Sequence, residues 1–180
     1  RTLIALLVIA SIVITLANNL YATWRVQRMV LIDSTLEANR AYAAKLASTS
    51  EVFFRLAQSQ LHFSANLLGK DFNNEALLRA EVNRLREQTD SFNSVAVVDE
   101  TGTVRAISPE SLTLTGMHLT SDATRETLQT RQPLISRPTL SAANNLLIFV
   151  SWPIWNNQGR YLGYIGGTIY LKKKNILNAL

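Results

Sequence analysis

The sequence predicts an α+β protein in which an N-terminal transmembrane helix continues into a long helix packed on a five-stranded antiparallel sheet. Three observations carry this. An uncharged apolar run, Leu3 to Ala17, opens the chain; no Gly or Pro then occurs before Gly69; and after Ser91 the apolar period changes from that of a helix to that of a strand, while Gly and Pro return.

The apolar character continues through Leu20, Tyr21 and Ala22, giving about 20 residues, or ~30 Å of helix, enough to cross the hydrocarbon of a bilayer. Tyr21 and Trp24 stand where an aromatic belt belongs, Arg25 and Arg28 follow, and the first acidic residue is Asp33. A secretory signal peptide cleaved near Leu20-Tyr21-Ala22 also fits such a run. The lack of any helix breaker before Gly69 favours the uncleaved span over residues 1–23, and both readings export the rest of the chain. The chain begins without Met, so further residues are expected upstream.

Residues 24–69 read as one amphipathic helix, with Leu36, Leu46, Phe53, Leu61 and Leu68 at helical spacing and Ala43, Ala57 and Ala65 between them. At ~65 Å it exceeds what one small domain covers, so its start is expected to stand clear. Its stripe is loosely heptad, so the exposed portion is expected to pair with a second copy in a homodimer; the alternative, a single helix packed on its own domain, covers at least the half from Phe53 on. Gly69 reads as a C-cap, and a second helix follows from about Asn74 to Gln88. In the lobe, residues 70–171, Ser94–Asp99 is a strand and Asp99-Glu100-Thr101-Gly102 a turn. Asp99 could be an exposed catalytic carboxylate, but beside Gly102 it reads as the corner of a hairpin, where Asx bonding and positive φ are wanted. A short helix capped by Ser121 or Asp122 runs to Thr130, and Pro133 and Pro138 bound a brief strand at Leu134-Ile135-Ser136. The stretch from Asn145 to Trp155 is apolar on both faces, as in a central strand; Asn156–Gly159 is a hairpin turn, and Arg160–Leu171 is the last strand, with three glycines marking close backbone approach.

The charge of +5 is scattered, apart from Lys172, Lys173 and Lys174, so no basic stripe offers itself to nucleic acid. The absence of cysteine excludes disulfides and thiol chemistry, and His62 and His118 lack a second ligand at metal spacing. No nucleophile elbow, metalloprotease or P-loop motif occurs, so neither catalysis nor a cofactor is expected of this stretch.

Four segments together resemble one family: "AVVDETGTVRAIS", then Gly116 with "SDATRETL", then "PLISRPTL", then "VSWPIWNNQGRYLGYIGGTIYL". In this order they are similar to the Cache sensors, PAS-like extracytoplasmic domains of bacterial receptors, over roughly Arg25 to Leu171. The resemblance implies a periplasmic lobe on an inner-membrane helix, with residues 172–180 as the connector from a membrane-distal lobe to a second lobe. A cytoplasmic output is implied beyond that. "LEANRAYAAKLA" looks most like sensors on diguanylate cyclases, with histidine kinases and chemoreceptors as the alternatives. In amino-acid-binding members a helix carries Arg, then Trp and Tyr two and three places on, and the last strand carries an Asp that holds the ligand's ammonium. Arg125 matches the first; Thr127, Leu128 and Thr168 stand in the other places. What the resemblance leaves is a ligand cradle of Arg125, Arg137, Trp152, Thr168 and Tyr170, whose Arg forks suit a small organic carboxylate. A ligand-free interaction module and a membrane-anchored periplasmic enzyme are the competing functions.

Overall fold

The computed structural model describes residues 2–88, 91–141 and 145–171, without the side chains of residues 2, 5, 8 and 88. The chain divides into two compact units, Arg1–Ser48 and Thr49–Leu180. The first helix, α1, is Thr2–Leu68, and its residues up to Ser48 make up the first unit. There the large apolar side chains are exposed on all sides, Leu3, Leu7, Ile12, Ile14 and Leu20 among them. The hydroxyls of Thr15 and Thr35 donate to the carbonyls of Ser11 and Leu31, at 2.8 and 2.7 Å. Counted over the described residues, no helix is long and apolar enough to cross a membrane. The run read as a span includes residues 5 and 8, whose side chains lie outside that description.

The second unit holds the end of α1, then α2 (Glu75–Gln88), β1 (Ser94–Asp99), β2 (Val104–Ser108), a 3-10 turn (Glu110–Leu112), α3 (Asp122–Thr130), β3 (Leu134–Ile135), β4 (Thr139–Leu140), β5 (Leu146–Trp155) and β6 (Tyr161–Tyr170). The antiparallel sheet has six strands in the order β2-β1-β6-β5-β3, with β4 also on β5. It therefore exceeds the expected five by β4. Thr139 and Leu140 pair with Leu147 and Leu146 directly after Pro138, and a two-residue strand leaves too short a pattern to read.

Alternation along the strands gives the sheet two faces. On the inner face, Phe53, Ala57, Leu61, Ala65 and Leu68 of α1 and Leu78, Val82 and Leu85 of α2 share one core with Val95, Val97, Val150, Ile154, Ile165 and Ile169. The expected stripe of α1 is thus buried from Phe53 onward, whereas Leu36 is exposed. The outer face carries a smaller cluster of Val98, Val104, Ile107 and Tyr164, covered by Leu114, Leu119 and Leu128.

Both hairpin turns follow the sequence reading. Asp99 Oδ1 accepts from the backbone N–H groups of Thr101 and Thr103 (2.9 and 3.0 Å) and Gly102 takes φ 91°. Asn156 Oδ1 does the same for Gln158 and Arg160 (2.9 and 2.8 Å), with Gly159 at φ 75°. An ion pair from Arg160 to Glu100, 2.9 Å, ties the two turns together. Gly69 is a correction. It follows α1 but does not take the left-handed conformation of a glycine C-cap. Its missing Cβ instead admits the carbonyl of Trp155. Asn74 proves to be the N-cap of α2 rather than its first residue, its Oδ1 accepting from Leu77 N at 3.1 Å.

The two helices are joined by a buried polar cluster. Glu81, almost fully enclosed, accepts from Ser64 of α1 through Oε1 (2.6 Å) and from Arg84 through both oxygens (2.6 and 3.0 Å). Burial alone would raise its pKa, but the hydrogen bonds of Arg84 and Ser64, with the charge of Arg84, outweigh that and hold it below the usual 4.5. Glu81→Gln is expected to cost about 1–2 kcal/mol in urea unfolding at neutral pH. Because the folded pKa is the lower one, the native advantage is present above pH 4.5 and is lost as pH falls through the folded value. The two unfolding curves should therefore converge in acid.

Candidate functional site

The outer face of the sheet is where backbone pairing gathers polar side chains without a helix pressed on all of them. Register sets Ser94 of β1, Thr168 of β6 and Phe149 of β5 in one row, Ala96, Gly166 and Ser151 in the next, and Val98, Tyr164 and Pro153 in the third. Tyr170 lies beside Leu147 at the far end of the same face.

α3 covers part of this face. Ser121 caps it by accepting from Thr124 N at 3.2 Å, which fixes the first turn. Thr124 Oγ1 then lies 3.2 Å from the Tyr164 hydroxyl, and Thr127 Oγ1, which donates to the Ala123 carbonyl, lies 3.1 Å from Ser151 Oγ. All four hydroxyl-bearing residues are buried, so each contact satisfies groups that burial would otherwise penalise. The Phe149 ring meets Tyr164 edge-on with centroids 6.0 Å apart, and a Cβ at Gly166 would stand 2.5 Å from Phe149 Cζ. Gly166 is thus the position that lets this ring lie flat on the strand.

Beyond α3, Ser94, Phe149, Thr168 and Tyr170 are half-buried. The Ser94 and Thr168 hydroxyls stand 2.6 Å apart, and Asn93 Oδ1 accepts from Tyr170 N at 2.7 Å. These four side chains form a floor of hydroxyl groups and aromatic rings that carries no formal charge.

Of the residues expected in the cradle, Thr168 and Tyr170 share this floor. Trp152 does not. It pairs with Ile165 on the inner face and lies against the His62 ring of α1, centroids 4.6 Å apart. A strand apolar on both faces leaves its parity unreadable from sequence, which is why the tryptophan was expected on the wrong side. Arg125 is 65% exposed and forms an ion pair with Asp122 on its own helix. Arg137 is exposed, following Ser136, which brackets Phe149 through backbone and hydroxyl bonds of 2.8 and 2.9 Å. Sequence reasoning missed Ser94 and Ser151 and gave Thr127 no part in the cradle; the signal for the two serines was the parity of β1 and β5 relative to β6. It also missed Arg131, which ends α3 at φ 52° and places its guanidinium 5.1 Å from the centroid of the Tyr161 ring.

No family model matches the chain, and no curated protein matches it in sequence. Solved structures do. The sensory domain of the Campylobacter jejuni chemoreceptor Tlp3 superposes with a TM-score of 0.63 at 19% identity, covering 79% of this chain and 63% of that one. An extracellular ligand binding receptor from Desulfohalobium retbaense gives 0.60 at 15%, covering 76% and 25%. The ligand binding domain of the Pseudomonas aeruginosa amino acid chemoreceptor PctB, in complex with L-Gln, gives 0.55 at 18%, covering 71% and 52%.

The chain has the Cache fold. It spans between 25% and 63% of the length of these three structures. Thr168 occupies the place where the resemblance puts an Asp in amino-acid-binding members, and its hydroxyl meets that of Ser94. Thr127, in an aromatic position of that pattern, is bonded to the sheet.

Tyr164 is pushed up to about 12 by burial, which its bond to Thr124 offsets only in part. Tyr161 is also pushed up to about 12, chiefly by burial, and its buried hydroxyl has no partner among the described atoms. Phenols held neutral this firmly are poor general bases near pH 7. Ultraviolet titration should find these two phenols ionising near pH 12, and Tyr161→Phe or Tyr164→Phe should each remove one late step. Raised folded values mean that the stability they contribute is intact below pH 10 and is lost as pH rises toward 12.

Proposed function

We propose that this chain is the ligand-sensing part of a bacterial transmembrane signalling receptor. Residues 1–23 span the inner membrane, and the Cache lobe lies in the periplasm. The carrying observation is the lobe's outer face, where Ser94, Phe149, Thr168 and Tyr170 form a half-buried polar floor. The neighbours in fold are named as sensory or ligand-binding domains of chemoreceptors and of an extracellular receptor. The span is supported by apolar side chains on every side of the first turns and by the Thr15 hydroxyl, which donates within its own helix as a hydrocarbon surrounding requires. Arg28 over Trp24, 5.5 Å from the ring centroid, suits a membrane interface.

The ligand in this reading is a small organic carboxylate. Among the described residues the floor has no carboxylate to hold an ammonium, and Arg125, Arg131 and Arg137 are cations on or near α3 and the β3–β4 segment. Taking up the ligand requires Arg125 to exchange Asp122, three residues back on α3, for the ligand's carboxylate, a like-for-like ion pair. The output is a cytoplasmic diguanylate cyclase, with a histidine kinase or chemoreceptor as the alternative, and the receptor works as a homodimer. Trp152 is left as a core residue under α1.

Calorimetry against a panel of mono- and dicarboxylates should give heat with at least one of them. Thr168→Asp, which puts a negative charge on the floor, and Arg125→Ala should each weaken that binding at least tenfold, about 1.4 kcal/mol. Heat from no carboxylate, with the floor sealed to every solute tried, would favour an interaction module. That reading has its own support in the hydroxyl contacts that already seat α3 on the sheet.

A further inference from the structure

The strand order leaves β2 at an edge of the sheet, where one row of backbone groups has no strand to pair with. The segment after the 3-10 turn closes the start of this edge: Val104 N donates to the Met117 carbonyl (2.9 Å), and the Val104 carbonyl accepts from Gly116 N (2.8 Å). Further along, a cleft of about 230 Å³ opens between Arg79 of α2, Ala106 and Ile107 of β2, Glu110 of the 3-10 turn and Thr115. Its base is apolar and buried, since Ala106 belongs to the inner core and Ile107 to the outer cluster. Its mouth carries one exposed cation, Arg79, and one exposed anion, Glu110. Among the described residues neither is ion-paired, to the other or to any third group. Arg86, two turns on along α2, is by contrast held by the Ser108 hydroxyl at 2.9 Å and by Glu87. Thr113, between Glu110 and Thr115, takes a left-handed φ of 49°, costly for a β-branched residue, and its N–H donates to the Glu110 carbonyl at 2.9 Å. Strain of this kind persists where its surroundings impose it, and it clusters at ligand-holding loops.

We propose that this cleft is a second ligand site, which takes a small amino carboxylate with its carboxylate on Arg79 and its ammonium on Glu110. The volume lies below the ~300 Å³ at which pockets for drug-sized ligands begin, so the solute is short. Charge sets its class. A plain carboxylate that reaches Arg79 also brings its charge toward Glu110, and a plain amine meets the reverse; a zwitterion satisfies both ends through charge-assisted bonds. Its methylenes lie over Ala106 and Ile107. The cleft is built from α2, β2 and the 3-10 turn with Thr115, none of which contributes to the outer floor, so the site stands independently of the carboxylate reading. It bears on α2, whose Glu81, two residues beyond Arg79, accepts from Ser64 of α1.

Calorimetry on the full chain with the ω-amino carboxylates from glycine to aminohexanoate should give saturable heat that is strongest at one chain length. Arg79→Gln and Glu110→Gln should each weaken binding of that compound about fivefold, the upper end for one exposed ion pair. Arg79→Glu combined with Glu110→Arg should restore it, because a zwitterion can enter either way round, whereas Arg125→Ala should leave it unchanged. Both side chains are exposed, and the double reversal serves as the second test should a single variant fold poorly. Saturable heat from none of the series, or heat that Arg125→Ala removes and Arg79→Gln does not, would overturn the proposal. Plain carboxylates that still bind in that case leave the sensor reading standing without this site; amino-carboxylate heat that depends on Arg79 and Glu110, with none from plain carboxylates, keeps the site and removes the carboxylate floor.

Discussion

Burial of the α1 stripe from Phe53 to Leu68 against the sheet is the contact on which the lobe depends. A strand-only sheet of this size leaves one apolar face to water, and α2 alone, at 14 residues, covers chiefly β1 and β2. The end of α1 supplies the remainder of that cover, with alternating large and small side chains that let the backbone sit close. Once it is in place, much else is determined. The inner face takes Val95, Val97, Val150 and Ile165, Trp152 falls on the same side, and Gly69 must yield space to the Trp155 carbonyl. The opposite face is then free for α3 and for the hydroxyl floor.

The polar chemistry divides in the same way. Inside, Glu81, Arg84 and Ser64 make a hydrogen-bonded set in which both Glu81 oxygens and the Ser64 hydroxyl are used, fastening α1 to α2. Outside, Ser94 and Thr168 pair with each other, and their neighbours are rings, so the floor is polar without being charged. An ion pair within α2 that is hydrogen-bonded to Ser64 of α1 holds the frame, whereas a neutral floor beside a helix seated by two hydroxyl contacts can exchange partners at modest cost. Firm contacts on one face and exchangeable ones on the other would let a solute shift one helix without loosening the fold.

Features held by short-range chemistry were legible in the sequence. The two hairpins announce themselves through Asp99 with Gly102 and Asn156 with Gly159, since the side-chain acceptor and the positive φ are both local requirements. The α1 stripe and the α2 face follow from helical period, and Ser121 from capping preference. The glycines of β6 were read as points of close approach, and Gly163, Gly166 and Gly167 indeed admit the Val98 carbonyl and the rings of Phe149 and Phe92. What could not be read is long-range. β4 is too short to carry a pattern; β5 is apolar on both faces, so Trp152 could not be assigned a side; and Arg125 turns to Asp122, three residues back, a pairing as available to a surface helix as to a binding site. Thr168 was found through the family resemblance alone, and its partner Ser94 only through register.

The central claim is that the lobe lies outside the cytoplasm on a helix that crosses the membrane. Labelling of Gln158→Cys in intact cells tests it most directly, because that residue is exposed in the turn after β5 and the chain has no other thiol. A membrane-impermeant maleimide should modify it to the extent seen after lysis, with the protein remaining in the membrane fraction. Protection in intact cells with full labelling after lysis, or recovery of the chain free of the membrane, would contradict the claim.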